Sequence, residues 1–282
     1  MKSVNISNLD CIYLVGDNDH WASIQTIIPN VRRVDKANGL SAYHTAAALS
    51  DTERFILIDS NSIPDKEFFK ETLEFLDDIN ESTILQWRSR NHVNGVVTGN
   101  GGLISCTREV VNNMTTEFSH DPLYQLMHDC YSTTYCNGSA FQSWAAGFQA
   151  GVELCLNRGT RRTITEFLDE LPQQDLDQLS IWHNIGRDAE HGIWSIAGSR
   201  MGTYMTMITP QWDYHAIENI VELEKLWDTV KDGIPEMLVG RVAEDLATQL
   251  KLPMLSVLGP ESAFFKQHYT TNQHNRGIMD VI

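Results

Sequence analysis

Arg54-Phe55-Ile56-Leu57-Ile58-Asp59-Ser60-Asn61 decides how this chain is read. Four apolar residues run into an acid, a small hydroxyl residue and an amide, and Pro64 follows closely. A continuous apolar run bounded by turn-forming residues predicts a strand buried on both faces, as in a parallel sheet. Such sheets bind ligands just beyond the carboxyl ends of their strands. Asp59 and Asn61 therefore fall where two oxygen donors can hold a hard divalent cation against a phosphate. The same residues also suit an ordinary turn or helix cap after a core strand. The flanking sequence has to choose between these.

Upstream, Cys11-Ile12-Tyr13-Leu14-Val15 runs into Gly16-Asp17-Asn18-Asp19, a strand followed by a Gly/Asp turn. A short helix over 21–28 is stopped by Pro29, a second strand over 31–34 ends at Asp35, and an alanine-rich helix covers 40–49. Downstream, the pattern predicts an amphipathic helix over 66–79, a strand over 83–87, a glycine-dense stretch over 94–102 followed by Leu103-Ile104-Ser105-Cys106, and a short helix over 108–114. The order β-α-β-α-β-α-β predicts an α/β three-layer sandwich on a mostly parallel sheet. Beyond Thr115 the chain turns polar and irregular; helices are expected over 141–156, 176–185, 217–230 and 237–250, and a turn with a short strand or helix start over 191–198. The simplest division is one domain over 1–215 with a helical extension over 216–282.

The formal net charge of −16 excludes a generally basic nucleic-acid-binding surface and leaves only local basic strips. Arg88, Arg90, Arg108, Arg158, Arg161 and Arg162 are the candidates, and DNA held by so few cations would be released readily by salt. The five cysteines show no Cys-x-x-Cys pair, which predicts free thiols in a reducing compartment. No signal-like or membrane-spanning apolar run is present in the sequence. A cytoplasmic protein with no membrane partner is the expectation.

Several polar positions can carry chemistry. Gly16, Asp17 and Asp35 end the first two strands, where acids accept hydrogen bonds from ribose hydroxyls or a base N–H; Asp17 equally suits a helix cap. Gly101 and Gly102 lack a Cβ and would let a sugar approach the backbone, or would make a plain hairpin turn. Glu117 and Asp121 are candidate bases for an acceptor hydroxyl. Asp59 and Asn61 would hold Mn2+ or Mg2+, with His191 first and His268 second as a further ligand. Phe141, Trp144 and Phe148 recur at helical spacing, which suits core packing first and a stacking platform second.

Asp59-Ser60-Asn61 resembles the Asp-x-Asp signature of GT-A-type nucleotide-sugar glycosyltransferases, with Asn for the final Asp. In order along the chain it is joined by Asn100-Gly101-Gly102-Leu103, Thr107-Arg108-Glu109-Val110-Val111, Thr115-Thr116-Glu117-Phe118 and the segment from Phe141 to Phe148. Trp182-His183-Asn184-Ile185-Gly186-Arg187-Asp188 with Gly192, and Ala197-Gly198-Ser199-Arg200-Met201-Gly202, complete the set. Together they resemble glycosyltransferases of tailed bacteriophages over roughly residues 10 to 215. The resemblance implies a GT-A-like fold, a UDP-sugar donor of arabinose or glucose type, and 5-hydroxymethylcytosine in phage DNA as acceptor, in the host cytoplasm. It adds Asp188 and Gly192 to the nucleotide-sugar-binding candidates. The chain departs from the family at Ala145, Gln149 and Ala150, where the family carries an Arg and then an Arg-Glu pair. A glycan or protein acceptor, and a non-catalytic binding module with a lapsed metal site, are the alternatives.

Overall fold

The computed structural model describes residues 2–16, 20–35, 39–75, 82–115 and 124–255. It divides into two units, Met1–Asn91 with Val97–Tyr135, and His92–Val96 with Cys136–Ile282.

The first unit is α/β. Its elements are β1 (Lys2–Asn5), β2 (Asp10–Leu14), α1 (Trp21–Ile27), β3 (Arg32–Val34), α2 (Gly39–Leu49), β4 (Arg54–Ile58), β5 (Ser62–Pro64), β6 (Thr72–Phe75), β7 (Ile84–Asn91), β8 (Val97–Thr107), α3 (Arg108–Asn113) and β9 (Tyr124–Thr134). Seven strands form one sheet in the order β3-β2-β4-β8-β7-β9-β5. β2 pairs in parallel with β3 and β4, and β7 with β9, whereas β4–β8, β7–β8 and β5–β9 are antiparallel. The sheet is thus mixed rather than mostly parallel, because β8 returns antiparallel beside β4.

β4 is buried at every position, as its unbroken apolar run requires. Ile56 and Ile58 face one core with Cys11, Tyr13 and Ile24, while Phe55 and Leu57 face another with Ile12, Leu14, Ala42 and Ala46. α1 and α2 therefore pack on opposite faces of the sheet. The helix expected over 66–79 is instead a 3-10 turn (Lys66–Lys70) followed by β6, which pairs antiparallel with β1. Leu73 and Phe75 alternate into the core with this ribbon, and that long-range pairing overrides the local helical period.

The described part of the second unit is helical apart from a two-residue ribbon, β10 (Leu156–Asn157) with β11 (Thr160–Arg161). Its helices are α4 (Ala140–Glu153), α5 (Ile164–Glu170), α6 (Gln173–Asn184), α7 (Gly192–Ile208), α8 (Ile220–Asp228), α9 (Pro235–Arg241) and α10 (Ala243–Gln249). α4 and α7 pack backbone to backbone: a Cβ on Gly147 would lie 2.0 Å from the Ser195 carbonyl oxygen, and one on Gly198 2.1 Å from that of Trp144. Trp144 and Phe148 are fully buried, so they serve the core and not a stacking platform. Arg200, 1% exposed, donates to the carbonyls of His183 (2.9 Å) and Val239 (2.8 Å) and to Asn184 Oδ1 (3.0 Å). These bonds tie α6, α7 and α9 together. No helix of the described residues is long and apolar enough to cross a membrane.

His183 lies at the centre of this unit, with Nε2 3.0 Å from Thr203 Oγ1. Burial, helped by the Arg200 charge, pushes its imidazole down to about 3. The unfolded chain has the ordinary value near 6.5, so the stability held by neutral His183 is complete above that pH and is lost as pH falls from there toward 3. We expect unfolding free energy to drop by roughly 1 kcal/mol per pH unit in that window. Denaturant titrations at pH 7.5 and 5.5 check this: His183→Gln should flatten the acid slope, and an equal slope in both proteins contradicts the assignment.

Candidate functional site

Asp59 leaves the carboxyl end of β4 and opens a turn. Its backbone N–H donates to the Gly102 carbonyl (2.8 Å), and its own carbonyl accepts from the Ser62 N–H (3.0 Å). The side chain accepts a long bond from the Asn61 N–H (3.4 Å), so part of the turn reading is fulfilled. The Asn61 carbonyl accepts from the Tyr135 N–H (2.7 Å). The Tyr13 hydroxyl donates to the Ser60 carbonyl (2.9 Å) and accepts from the His20 N–H (3.0 Å), which joins β2, the start of α1 and the turn.

The turn is seated between two glycines, Gly16 just past the end of β2 and Gly102 within β8. A Cβ on Gly16 would lie 2.6 Å from Ser60 Cβ, and one on Gly102 2.0 Å from Ser62 Cβ. The Cβ space of these glycines is therefore filled by the protein's own serines, which corrects the expectation that Gly102 is bare for a sugar. Gly101 and Gly102 lie within β8 and not in a hairpin turn. Ser62 Oγ in turn meets Thr134 Oγ1 at 3.0 Å, tying the turn to β9.

Asp59 itself is solvent-exposed and makes no ion pair with the described residues. Desolvation nevertheless pushes its carboxyl above the ordinary carboxylate range, against the opposing effect of the Asn61 and Ser60 amides. The two observations are compatible for a carboxylate that water reaches from one side only. This edge is also a topological switch point: β2 lies between β3 and β4, and the helices leading to those strands cover opposite faces. A crevice outside the carboxyl ends is the general consequence. Trp21, the first residue of α1, is stacked near Tyr13 with the Arg33 guanidinium 5.2 Å from its ring centroid.

The structure treats the other candidates unequally. Asp35 is exposed at the end of β3 and paired with Arg33, whose Nε donates to it at 2.7 Å. Asp17, Glu117, Asp121 and His268 lie outside the described residues. Asp188, Gly192 and His191 belong to the second unit. His191 stands at the head of α7 in the left-handed region (φ 54°), beside Glu190, and its carbonyl accepts from Ser143 Oγ (2.9 Å). Gly192 is required by its own loop, since a Cβ there would lie 1.8 Å from the Gly186 carbonyl oxygen. Sequence reasoning missed Tyr13, Ser60 and Ser62 as the residues that hold the turn; the one legible signal was a phenol inside an otherwise apolar strand.

No protein family and no curated protein matches the chain. Among solved structures, the crystal structure of HddC from Yersinia pseudotuberculosis aligns with 45% of this chain and 74% of that chain, at 12% identity and a TM-score of 0.27. A superposition that loose carries no argument.

Two outcomes test the site geometry. Gly102→Ala should destabilise by about 1–3 kcal/mol through overpacking against Ser62, and adding Ser62→Gly should restore much of that loss; additive costs in the double-mutant cycle contradict the contact. The raised carboxyl of Asp59 gives a second. Its folded-state proton is held more tightly than in the unfolded chain, so ionisation opposes folding as pH rises above about 4. Asp59→Asn should therefore melt no lower than the parent at pH 7.5 and lose any advantage at pH 4; a variant less stable at pH 7.5 rules out the desolvated-carboxylate reading.

Proposed function

We propose that the protein is a metal-dependent glycosyltransferase whose first unit is a GT-A-like nucleotide-binding half, using a UDP-sugar of arabinose or glucose type. The observation that carries this reading is Asp59: an exposed, unpaired carboxylate held in a fixed turn at the carboxyl end of the central strand, beside a topological switch point. An exposed acid with a raised carboxyl at such a strand end is the kind of group that binding sites collect.

A divalent cation fits the donors in a limited way. Asp59 and Asn61 offer one carboxylate and one amide oxygen, and no group of three or more His, Cys, Asp or Glu converges among the described residues. Mg2+ and Mn2+ accept that composition when phosphate oxygens and water supply the remaining ligands. Such an ion supplies charge neutralisation for the departing diphosphate. Asp59 would anchor it, Gly16 and Asp35 would border the nucleoside, and the turn bonds from Tyr13, Ser62 and Gly102 would keep Asp59 from swinging away. His191, in the second unit, stays the candidate further ligand on sequence grounds alone. Glu117 and Asp121 stay as candidate acceptor bases on sequence grounds alone.

The acceptor we propose is the hydroxyl of 5-hydroxymethylcytosine in phage DNA, carried by the family resemblance. That target base must leave the stack or be read in the major groove. The acidity of the chain favours a second reading, transfer to a glycan or protein. Incubation with UDP-glucose or UDP-arabinose, Mn2+ and DNA with or without 5-hydroxymethylcytosine separates them. We expect a mass increase confined to the modified DNA, abolished by chelation and reduced about a hundredfold or more in Asp59→Ala. Donor hydrolysis without DNA modification supports the second reading; no turnover of either donor, with or without metal, sinks both.

A further inference from the structure

Arg88 occupies an unusual place in the first unit's sheet. Ile58 of β4 and Trp87 of β7 pair with the same residue, Leu103 of β8. β4 and β7 both run antiparallel to β8, so they point the same way. One step further along, Asp59 meets Gly102 through its N–H (2.8 Å), and Arg88 follows Trp87. Asp59 and Gly102 therefore lie at one level of the sheet, and Arg88, the first β7 residue past the paired Trp87, lies near that level where its own pairing with β8 breaks, with β4 and β7 two strand spacings, about 10 Å, apart.

Both neighbours of β7 are buckled at this level. β8 uses Thr98 to Leu103 against only Ser89 to Trp87, and β9 moves from Met127 to Cys130 while β7 advances from Trp87 to Arg88. Bulges on both sides open the ladder around one residue and re-aim its side chain, a device found beside active sites. Arg88 and Arg90 are half-buried and form no ion pair among the described residues, although Arg90 lies close enough to Asp65 to hold that carboxyl down against the effect of its burial. Arg90 Nε is buried without a hydrogen-bond partner. Both guanidinium groups act electrostatically on the Cys130 thiol, which places them around the same stretch of β9. By contrast Arg32, Arg33 and Arg108 of the same unit are paired with Asp51, Asp35 and Glu53.

We infer that Arg88, supported by Arg90, forms an anion subsite that takes a phosphate group of a ligand lying along the stretch from Asp59 to Arg88. Arg88, half-buried and without an ion pair among the described residues in a chain of net charge −16, is left for an anion from outside, while Arg90 beside it also acts on the Asp65 carboxyl. Naming that anion as the diphosphate of a nucleotide-sugar rests on the proposed function. In that setting Arg88 supplies positive charge that Asn61, a weaker ligand than a carboxylate, does not recruit through a second metal bond.

The test is calorimetric titration of the full chain with inorganic pyrophosphate, UDP and uridine, in the presence of EDTA so that no cation contributes. The wild type should bind pyrophosphate and bind UDP more tightly than uridine. Arg88→Gln should weaken both anions about tenfold or more, with uridine binding and the thermal melt unchanged; Arg88→Lys should fall between, and Arg32→Gln should have no effect. Undiminished pyrophosphate and UDP binding in Arg88→Gln overturns the subsite, as does a wild type that binds no pyrophosphate. Pyrophosphate binding that depends on Arg88 in a protein that turns over no UDP-sugar keeps the subsite and discards the glycosyltransferase reading. Sugar transfer with unaltered kinetics in Arg88→Gln does the reverse.

Discussion

The close seating of the Asp59–Ser62 turn between Gly16 and Gly102 governs the rest of the candidate site. Serine side chains occupy the volume where any other residue at these two positions would carry its Cβ. The turn can therefore neither rise nor slide without opening β2 or β8 away from β4. Hydrogen bonds from Tyr13 and to Gly102 fix it in the remaining directions. Asp59 is held in a position where protein raises the cost of its charge, and only packing of this kind keeps a carboxylate in such a place. The glycines are there for the turn, and through the turn they act on the acid.

This explains which parts of the site were legible in the sequence. The apolar run of β4 and the acid at its end are local signals, and the structure places both as read. The β2-α1-β3-α2-β4 half was equally legible, because each piece carries its own period and stop residue. Gly102 was assigned to a ligand because a sequence shows the absence of a Cβ without showing what fills its volume. β9 was missed altogether: Tyr124–Thr134 is polar and partly exposed, and its strand state comes from pairing with β7 and β5. The helix expected over 66–79 failed for the same physical reason, since β6 is made by β1, some seventy residues away in the chain.

In the second unit α4, α6 and α8 were legible, whereas α5 was not read, α7 was read only as a turn with a short strand or helix start, and α9 and α10 were read as one helix. Trp144 and Phe148 have the spacing of a platform, yet α7 lies so close to α4 that both rings are sealed in the core. Ala145 and Gln149 both find structural use there. Ala145 is buried, and Gln149 donates to the Ile217 carbonyl (3.1 Å), joining α4 to the segment before α8. A charged pair in this helix would have to be desolvated in a unit that already holds Arg200 on carbonyl and amide oxygens. The two residues thus suit the packing whatever they do to the chemistry.

Charge gives the last constraint. A chain of −16 repels an anionic ligand over long range, so any phosphate has to be held by cations at short range. Asp59 makes that harder alone and easier with a divalent ion, since it exchanges one repulsive charge for a net attractive pair. The arginines that neutralise acids at the β3 edge and beside α3 are already engaged with Asp51, Asp35 and Glu53. Within the described sheet that leaves the stretch from Asp59 to Arg88, where a carboxylate and a guanidinium, each without an ion pair among the described residues, stand about two strand spacings apart. An anion bound there is balanced from both ends, whereas one bound at Asp59 alone depends wholly on the metal.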